Sequence, residues 1–389
     1  MTRRVIPAGE VLLGLLLDQP GAVTRPQLVE WSQLSAPTVG QSMERLLRLG
    51  FVAEVGQRSG DLGRSPTLYE ISAGAGLLVA MDLGGNNVRV ALTDARGIVL
   101  AEEQEASQLD DGGVLMQAAT LARRLRDRLD ATSPFRGSSF ACVGVSLPGV
   151  VDPRTGLLHY AWNIGATAPM DAAGELTKSL GTHVVVDNNV NLAALGEQWQ
   201  GATQDLPTFA VVSVGAGMGA GIVHDGRLLH GVHGAAGEVS FLPLSTGFHR
   251  SRPLSPDEGG GITLLSRARQ RRDWGAGGPP DSVQVLFERA EAGHRGACRL
   301  IHEESERIAL VIASIAALVD PGTVVLAGGV GSNPHLLELV EQRLTELAPY
   351  PPTLLPAALG ERASLVGAIR LATREMRPLL LDALRDHAG

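Results

Sequence analysis

Three times along this chain a run of apolar residues ends abruptly on glycine. Leu78-Val79-Ala80-Met81-Asp82-Leu83 stops at Gly84-Gly85, a second run stops at Val214-Gly215-Ala216-Gly217, and Thr323-Val324-Val325-Leu326-Ala327 stops at Gly328-Gly329. Apolar runs this short read as buried strands. Glycines behind a strand let backbone N–H groups close on a bound anion such as phosphate. Val143 to Asp152 adds a strand that ends in a Pro148-Gly149 turn. Together these segments predict an α/β fold whose strand ends carry the chemistry. The 48 glycines cluster in such motifs rather than in a low-complexity tract.

A length of 389 residues allows two or three domains and a sizeable core. The net charge of −8 provides no global basic field for nucleic acid. Through Ala75, however, seven Arg balance seven Asp and Glu, so the first segment is neutral within an acidic whole. The two cysteines, Cys142 and Cys298, are too far apart for a metal-type pair and read as buried thiols. The apolar stretch Val11 to Leu17 ends at Asp18, too short to span a membrane or to act as a signal peptide, so a cytoplasmic location is expected.

The first seventy residues have a pattern of their own. Ala8 to Asp18 carries Val11, Leu12, Leu15 and Leu16 at helical spacing. Thr24 and Gln27 have capping-box spacing at the head of a second helix, with Leu28 and Trp31 facing inward. Ser35 caps a third helix with Pro37 in its first turn, where the missing N–H costs little. That helix buries Val39, Met43, Leu46 and Leu47 and turns Thr38, Gln41, Ser42, Arg45 and Arg48 outward. Phe51 to Val55 and Thr67 to Ile71 read as a hairpin around the polar stretch from Gly56 to Pro66. This is the order of a winged helix-turn-helix. A small polar face with two Arg can enter a major groove, so Ser35, Thr38, Gln41, Ser42 and Arg45 are the expected DNA contacts, with Arg64 at the wing tip.

The glycine motifs, with Gly234-Ala235-Ala236-Gly237-Glu238 between the second and third, follow one another as in the ROK family of repressors, open-reading-frame proteins and sugar kinases. The resemblance covers nearly the whole chain. It includes the head, because the family's sugar-repressor branch ends its winged helix-turn-helix in a Gly-Arg-Ser-Pro segment, here Gly63 to Pro66. It implies a two-lobed actin-like (ribonuclease H-like) body. The expected domains are residues 1–74 for the head and 75–389 for the body. The first lobe would take about 75–186 and the last helix about 365–389, and the second lobe about 187–364.

The resemblance also locates a reaction centre and its defects. Family kinases use an aspartate in an Asn-Asp-x-Asn motif as general base. Here the motif is Asn188-Asn189-Val190-Asn191, and an amide has no basicity near neutral pH. General base catalysis contributes about 10²–10⁴-fold, so the loss is large. Asp187 lies two residues from that base position and, at a strand end, is expected to point elsewhere. Asn86 replaces the family's threonine after the first glycine pair that follows Asp82, and Ala216 removes the hydroxyl from the second loop. The family's zinc-binding His and Cys residues are missing, with Phe241 at the His position and no cysteine from Ser240 to Ala297. His249 alone cannot make a zinc site, so no metal and no cofactor are expected. Asn188, Glu238, Asn163 and Glu258 remain as candidate ligand contacts. The expected function is a DNA-binding regulator without catalytic residues, whose partners are operator DNA, a sugar or sugar-derivative effector and a second copy of the chain. An active ATP-dependent sugar kinase with a fused head, and a regulator that senses no ligand, are the alternatives.

Overall fold

The computed structural model describes residues 7–19, 21–57, 66–109, 113–131, 133, 135–243 and 260–386. The chain forms two compact units. One comprises Met1–Val145, Ala172–Val186 and Ala368–Gly389, the other Ser146–Asp171 and Asp187–Gly367.

The first unit opens with α1 (Ala8–Asp18), β1 (Val23–Thr24), α2 (Arg25–Ser32), α3 (Ala36–Arg48), β2 (Val52–Gln57) and β3 (Thr67–Ile71). Local chemistry sets these boundaries. Thr24 Oγ1 accepts from the Gln27 N–H while Gln27 Oε1 accepts from the Thr24 N–H at 2.9 Å, which closes the capping box. Ser35 Oγ accepts from the Thr38 N–H, and Pro37 stands in the first turn of α3. The three strands pair antiparallel in the order β1-β3-β2. Trp31 departs from expectation. It is 39% exposed, because the two turns of α2 need only Leu28 to reach the core. The first hairpin strand also starts one residue late and continues through Gln57.

After the hairpin come β4 (Leu78–Leu83), β5 (Asn87–Thr93), β6 (Val99–Ala106), α4 (Gly113–Asp127), β7 (Cys142–Leu147), β8 (Val150–Val151), β9 (Leu158–His159), α5 (Ala172–Leu180), β10 (Val184–Asn188) and α6 (Asn189–Gln200). A five-stranded sheet runs β10-β7-β4-β5-β6, and β8 and β9 form a separate antiparallel hairpin. Residues 146–171, expected in the first lobe, cluster instead with the second unit. Their tie is tertiary packing onto later parts of the chain, which the local pattern around Pro148 does not encode.

The second unit continues with β11 (Phe209–Val214), β12 (Met218–His224), β13 (Arg227–Leu228), α7 (Gly260–Gln270), α8 (Val283–Glu291), α9 (Arg295–Val319), β14 (Thr323–Ala327), α10 (Gly328–Gly331), α11 (Pro334–Leu347), β15 (Thr353–Pro356) and α12 (Ala363–Asp386). Its sheet runs β13-β12-β11-β14-β15, antiparallel among the first three and parallel from β11 onward. Strands β11 and β14 are buried on both faces, which is why they read as unbroken apolar runs rather than alternating ones. Among the described residues no helix is long and apolar enough to cross a membrane.

The core of the first unit has an unexpected member. Leu12, Leu13 and Leu16 of α1 and Val39, Met43 and Leu46 of α3 share one buried cluster with Met376, Leu380 and Leu384 of α12. Arg385 adds a bidentate pair to the Glu10 carboxylate, at 2.9 and 2.7 Å.

Candidate functional site

The segment matched to the catalytic motif lies at the end of β10. Asn188 is the N-cap of α6, its Oδ1 accepting from the N–H groups of Val190 at 2.7 Å and Asn191 at 3.2 Å. Its Nδ2 donates to the Gly149 carbonyl at 2.7 Å. The amide expected to meet a ligand is thus mostly occupied in starting the helix and fixing the Pro-Gly turn, with one N–H left over. Asn189 is the first residue of α6, half-buried, and its side-chain amide has no hydrogen-bond partner among the described residues.

Asp187, two residues before Asn189, uses both of its carboxylate oxygens in hydrogen bonds. Its Oδ1 accepts from the Asn188 N–H at 2.7 Å and from Asn191 Nδ2 at 3.0 Å. Its Oδ2 lies 2.8 Å from His230 Nε2. An ionised carboxylate can only accept, so the imidazole donates from Nε2. Nδ1 has no partner among the described residues. That hydrogen bond raises the His230 pKa above its ordinary 6.5, the attraction of the Asp187 charge adding to it and burial opposing it. The sequence reading missed His230. The signal was available in His230-Gly231-Val232-His233, a histidine placed just before the Gly-Ala-Ala-Gly-Glu motif.

That motif owes its glycines to a close approach. Gly237 has φ +88° and stands so near β12 that a Cβ there would lie 1.9 Å from the Ala220 carbonyl oxygen. No other residue fits. The turn then delivers Glu238, half-buried and without a side-chain partner among the described residues, and burial pushes its carboxyl above the usual carboxylate range. Phe241 follows one 3₁₀ turn later, its N–H donating to the Glu238 carbonyl at 3.1 Å. Asn163 is exposed beside Trp162 in another 3₁₀ turn. Glu258 lies outside the described residues, as do His249 and, in the head, Arg64.

The two glycine loops differ in their occupancy. In the first, which follows Asp82, Asn86 is exposed and its carbonyl accepts from the Ser107 N–H at 3.0 Å. In the second, the Gly215 and Ala216 carbonyls accept from Gly261 and Ile262 at the start of α7, at 2.8 and 3.3 Å. Gly260 donates to Glu304 Oε1 at 2.9 Å, a buried carboxylate whose pKa burial raises. The outer face of α3 keeps Ser35, Gln41 and Arg48 exposed and Thr38 and Ser42 half-buried. Arg45 behaves differently from expectation: its Nη2 donates to the Leu384 carbonyl of α12 at 3.0 Å.

Comparison with known proteins gives the family. The ROK family profile matches residues 78–375. The DNA-binding transcriptional dual regulator NagC of Escherichia coli strain K12 is 26% identical over 96% of this chain and 94% of its own length. A glucokinase of Halalkalibacterium halodurans is 28% identical over 69% of this chain and 86% of its own. Among solved structures, a ROK family transcriptional regulator described as a homolog of the E. coli MLC protein superposes with a TM-score of 0.76 at 21% identity, over 97% of both chains.

Proposed function

The chain belongs to the ROK family, and from that premise we propose that it is a DNA-binding transcriptional repressor of carbohydrate genes whose kinase-like body binds a sugar or sugar derivative without phosphorylating it. The observation that carries this reading is Asn189. It stands at the position of the family's general base, and the neighbouring Asp187 carboxylate is tied down by Asn188, Asn191 and His230. Among the described residues no carboxylate at this strand end is without hydrogen-bond partners, which supports a body that lacks a general base. Similarity to NagC runs through the head as well as the body, whereas the glucokinase relative matches 69% of the chain.

In this reading the three helices and hairpin are a winged helix-turn-helix, with α3 as the reading helix. Two heads of a homodimer bind two half-sites, because one such helix buries little DNA. An effector relieves repression only to the extent that it prefers one arrangement of the protein over the other.

Two measurements on the purified protein test the proposal. Fluorescence anisotropy on DNA from its own promoter region is expected to show binding about 10³-fold or more tighter than to random duplex, roughly the low end for specific regulators. A coupled assay of ATP consumption over a hexose panel is expected to stay at background. Turnover at ordinary enzymic speed, about 1 s⁻¹ or more, would identify a kinase with a fused head instead.

A further inference from the structure

We propose that the surface of the second unit carrying Glu238 and Phe241 accommodates two linked sugar rings, with the second ring stacked on Tyr160 and Trp162. The inference rests on the sugar-effector reading and goes further, to the size of the ligand.

The hairpin β8–β9 and the 3₁₀ turn after it bury their small and aliphatic members and expose their large aromatic ones. Leu158, Ala161 and Ile164 are 1%, 1% and 3% exposed, whereas Tyr160 is 59% and Trp162 45% exposed. This inverts what apolar burial alone would select. The backbone is also strained to hold it, since Tyr160 has φ +58°, a conformation a bulky L-residue rarely takes. Strain of that kind is kept where a side chain must be presented. The presentation is rigid, because the buried residues on either side anchor the segment.

The exposed Tyr160 and Trp162 rings continue in a row with the half-buried ring of Phe241. Phe241 and Tyr160 have centroids 6.4 Å apart at an interplanar angle of 62°, and Tyr160 and Trp162 lie 5.3 Å apart at 57°. Each spacing is about the width of one pyranose ring. Phe241 and Tyr160 meet edge to face and Tyr160 and Trp162 at a tilt, which leaves their outer faces as the contact surface. At one end Glu238 precedes Phe241 by three residues in a 3₁₀ turn, which places the two side chains on the same side of it. At the other end Asn163, exposed and amide-bearing, adjoins Trp162. Neither Glu238 nor Asn163 has a side-chain partner among the described residues. Carboxylate and amide at the ends of an aromatic row match a glycoside, which has apolar C–H faces and hydroxyl rims. A single ring would leave Trp162 and Asn163 without a role.

The test is isothermal titration of the full chain with disaccharides, each paired with its own methyl monosaccharide: cellobiose with methyl β-glucoside, maltose with methyl α-glucoside, xylobiose with methyl β-xyloside and chitobiose with N-acetylglucosamine. At least one disaccharide is expected to bind about tenfold tighter than its monosaccharide, roughly what one well-stacked ring contributes. Trp162→Ala and Tyr160→Gly are expected to reduce that preference to within about twofold while leaving monosaccharide affinity unchanged. Glycine suits the left-handed backbone at position 160, so the second variant removes the ring without adding strain. Glu238→Gln is expected to weaken both ligands of the pair. Equal affinity for the two members of every pair, or a preference that survives both ring variants, overturns the two-ring site and leaves the sugar-effector reading intact. Binding of none of the eight sugars overturns both.

Discussion

At the scale of single residues, the structure turns on what Asp187 holds. Its bond to His230 gives a pH signature whose sign is fixed. The bond raises the folded-state pKa of the imidazole above 6.5, so the stabilisation is fully present below pH 6.5 and is lost as pH rises through the raised value. His230→Gln is therefore expected to lower the melting temperature most near pH 6 and progressively less toward pH 8.5. A difference that is flat across that range, measured by thermal unfolding in matched buffers, would remove the charged component of the pair. Residues of this kind divide by how far away their partners lie. Thr24 and Ser35 were legible as caps because their partners are three residues on. The role of Asp187 was only half legible: its place at the strand end could be read, but its partner His230 is 43 residues distant. Tyr160 gave no signal, since nothing in a tyrosine reports a left-handed backbone.

At the scale of elements, α12 links parts of the chain that the sequence pattern separates. Its first turn packs against α6 so tightly that a Cβ on Gly367 would stand 1.8 Å from the Leu192 carbonyl oxygen, a close approach that only glycine allows. Its last turns complete the core under α1 and α3. Leu384→Ala is expected to cost about 2–5 kcal/mol, as for other fully buried leucines, in urea unfolding, and to weaken operator binding with it. A loss below about 0.5 kcal/mol, the range of ordinary surface positions, would mean that α12 merely rests against the head. Arg45 illustrates why helix periodicity alone misplaces a contact. It lies on the polar side of α3, as the spacing required, yet its guanidinium reaches a carbonyl 339 residues away. The helices and most strands were legible from caps and apolar period. The membership of residues 146–171 was not, because it depends on packing between segments far apart in sequence.

At the scale of the whole molecule, the proposed regulator role requires a chain of net charge −8 to attract DNA locally. Binding then rests on a few arginines opposite phosphates, and each contact releases counterions. Affinity for the specific site is expected to fall at least tenfold between about 50 and 200 mM salt, in the direction set by those contacts. Anisotropy titrations at the two concentrations check this, and a salt-independent affinity would leave the three-helix segment without its DNA role.

The shared cluster of α1, α3 and α12 also has a consequence for biogenesis. The helices α1 and α3 are translated more than 300 residues before the side chains that seal their underside, Met376, Leu380 and Leu384. A nascent chain, or one interrupted before Met376, therefore carries an open apolar seam on these helices where α12 otherwise packs.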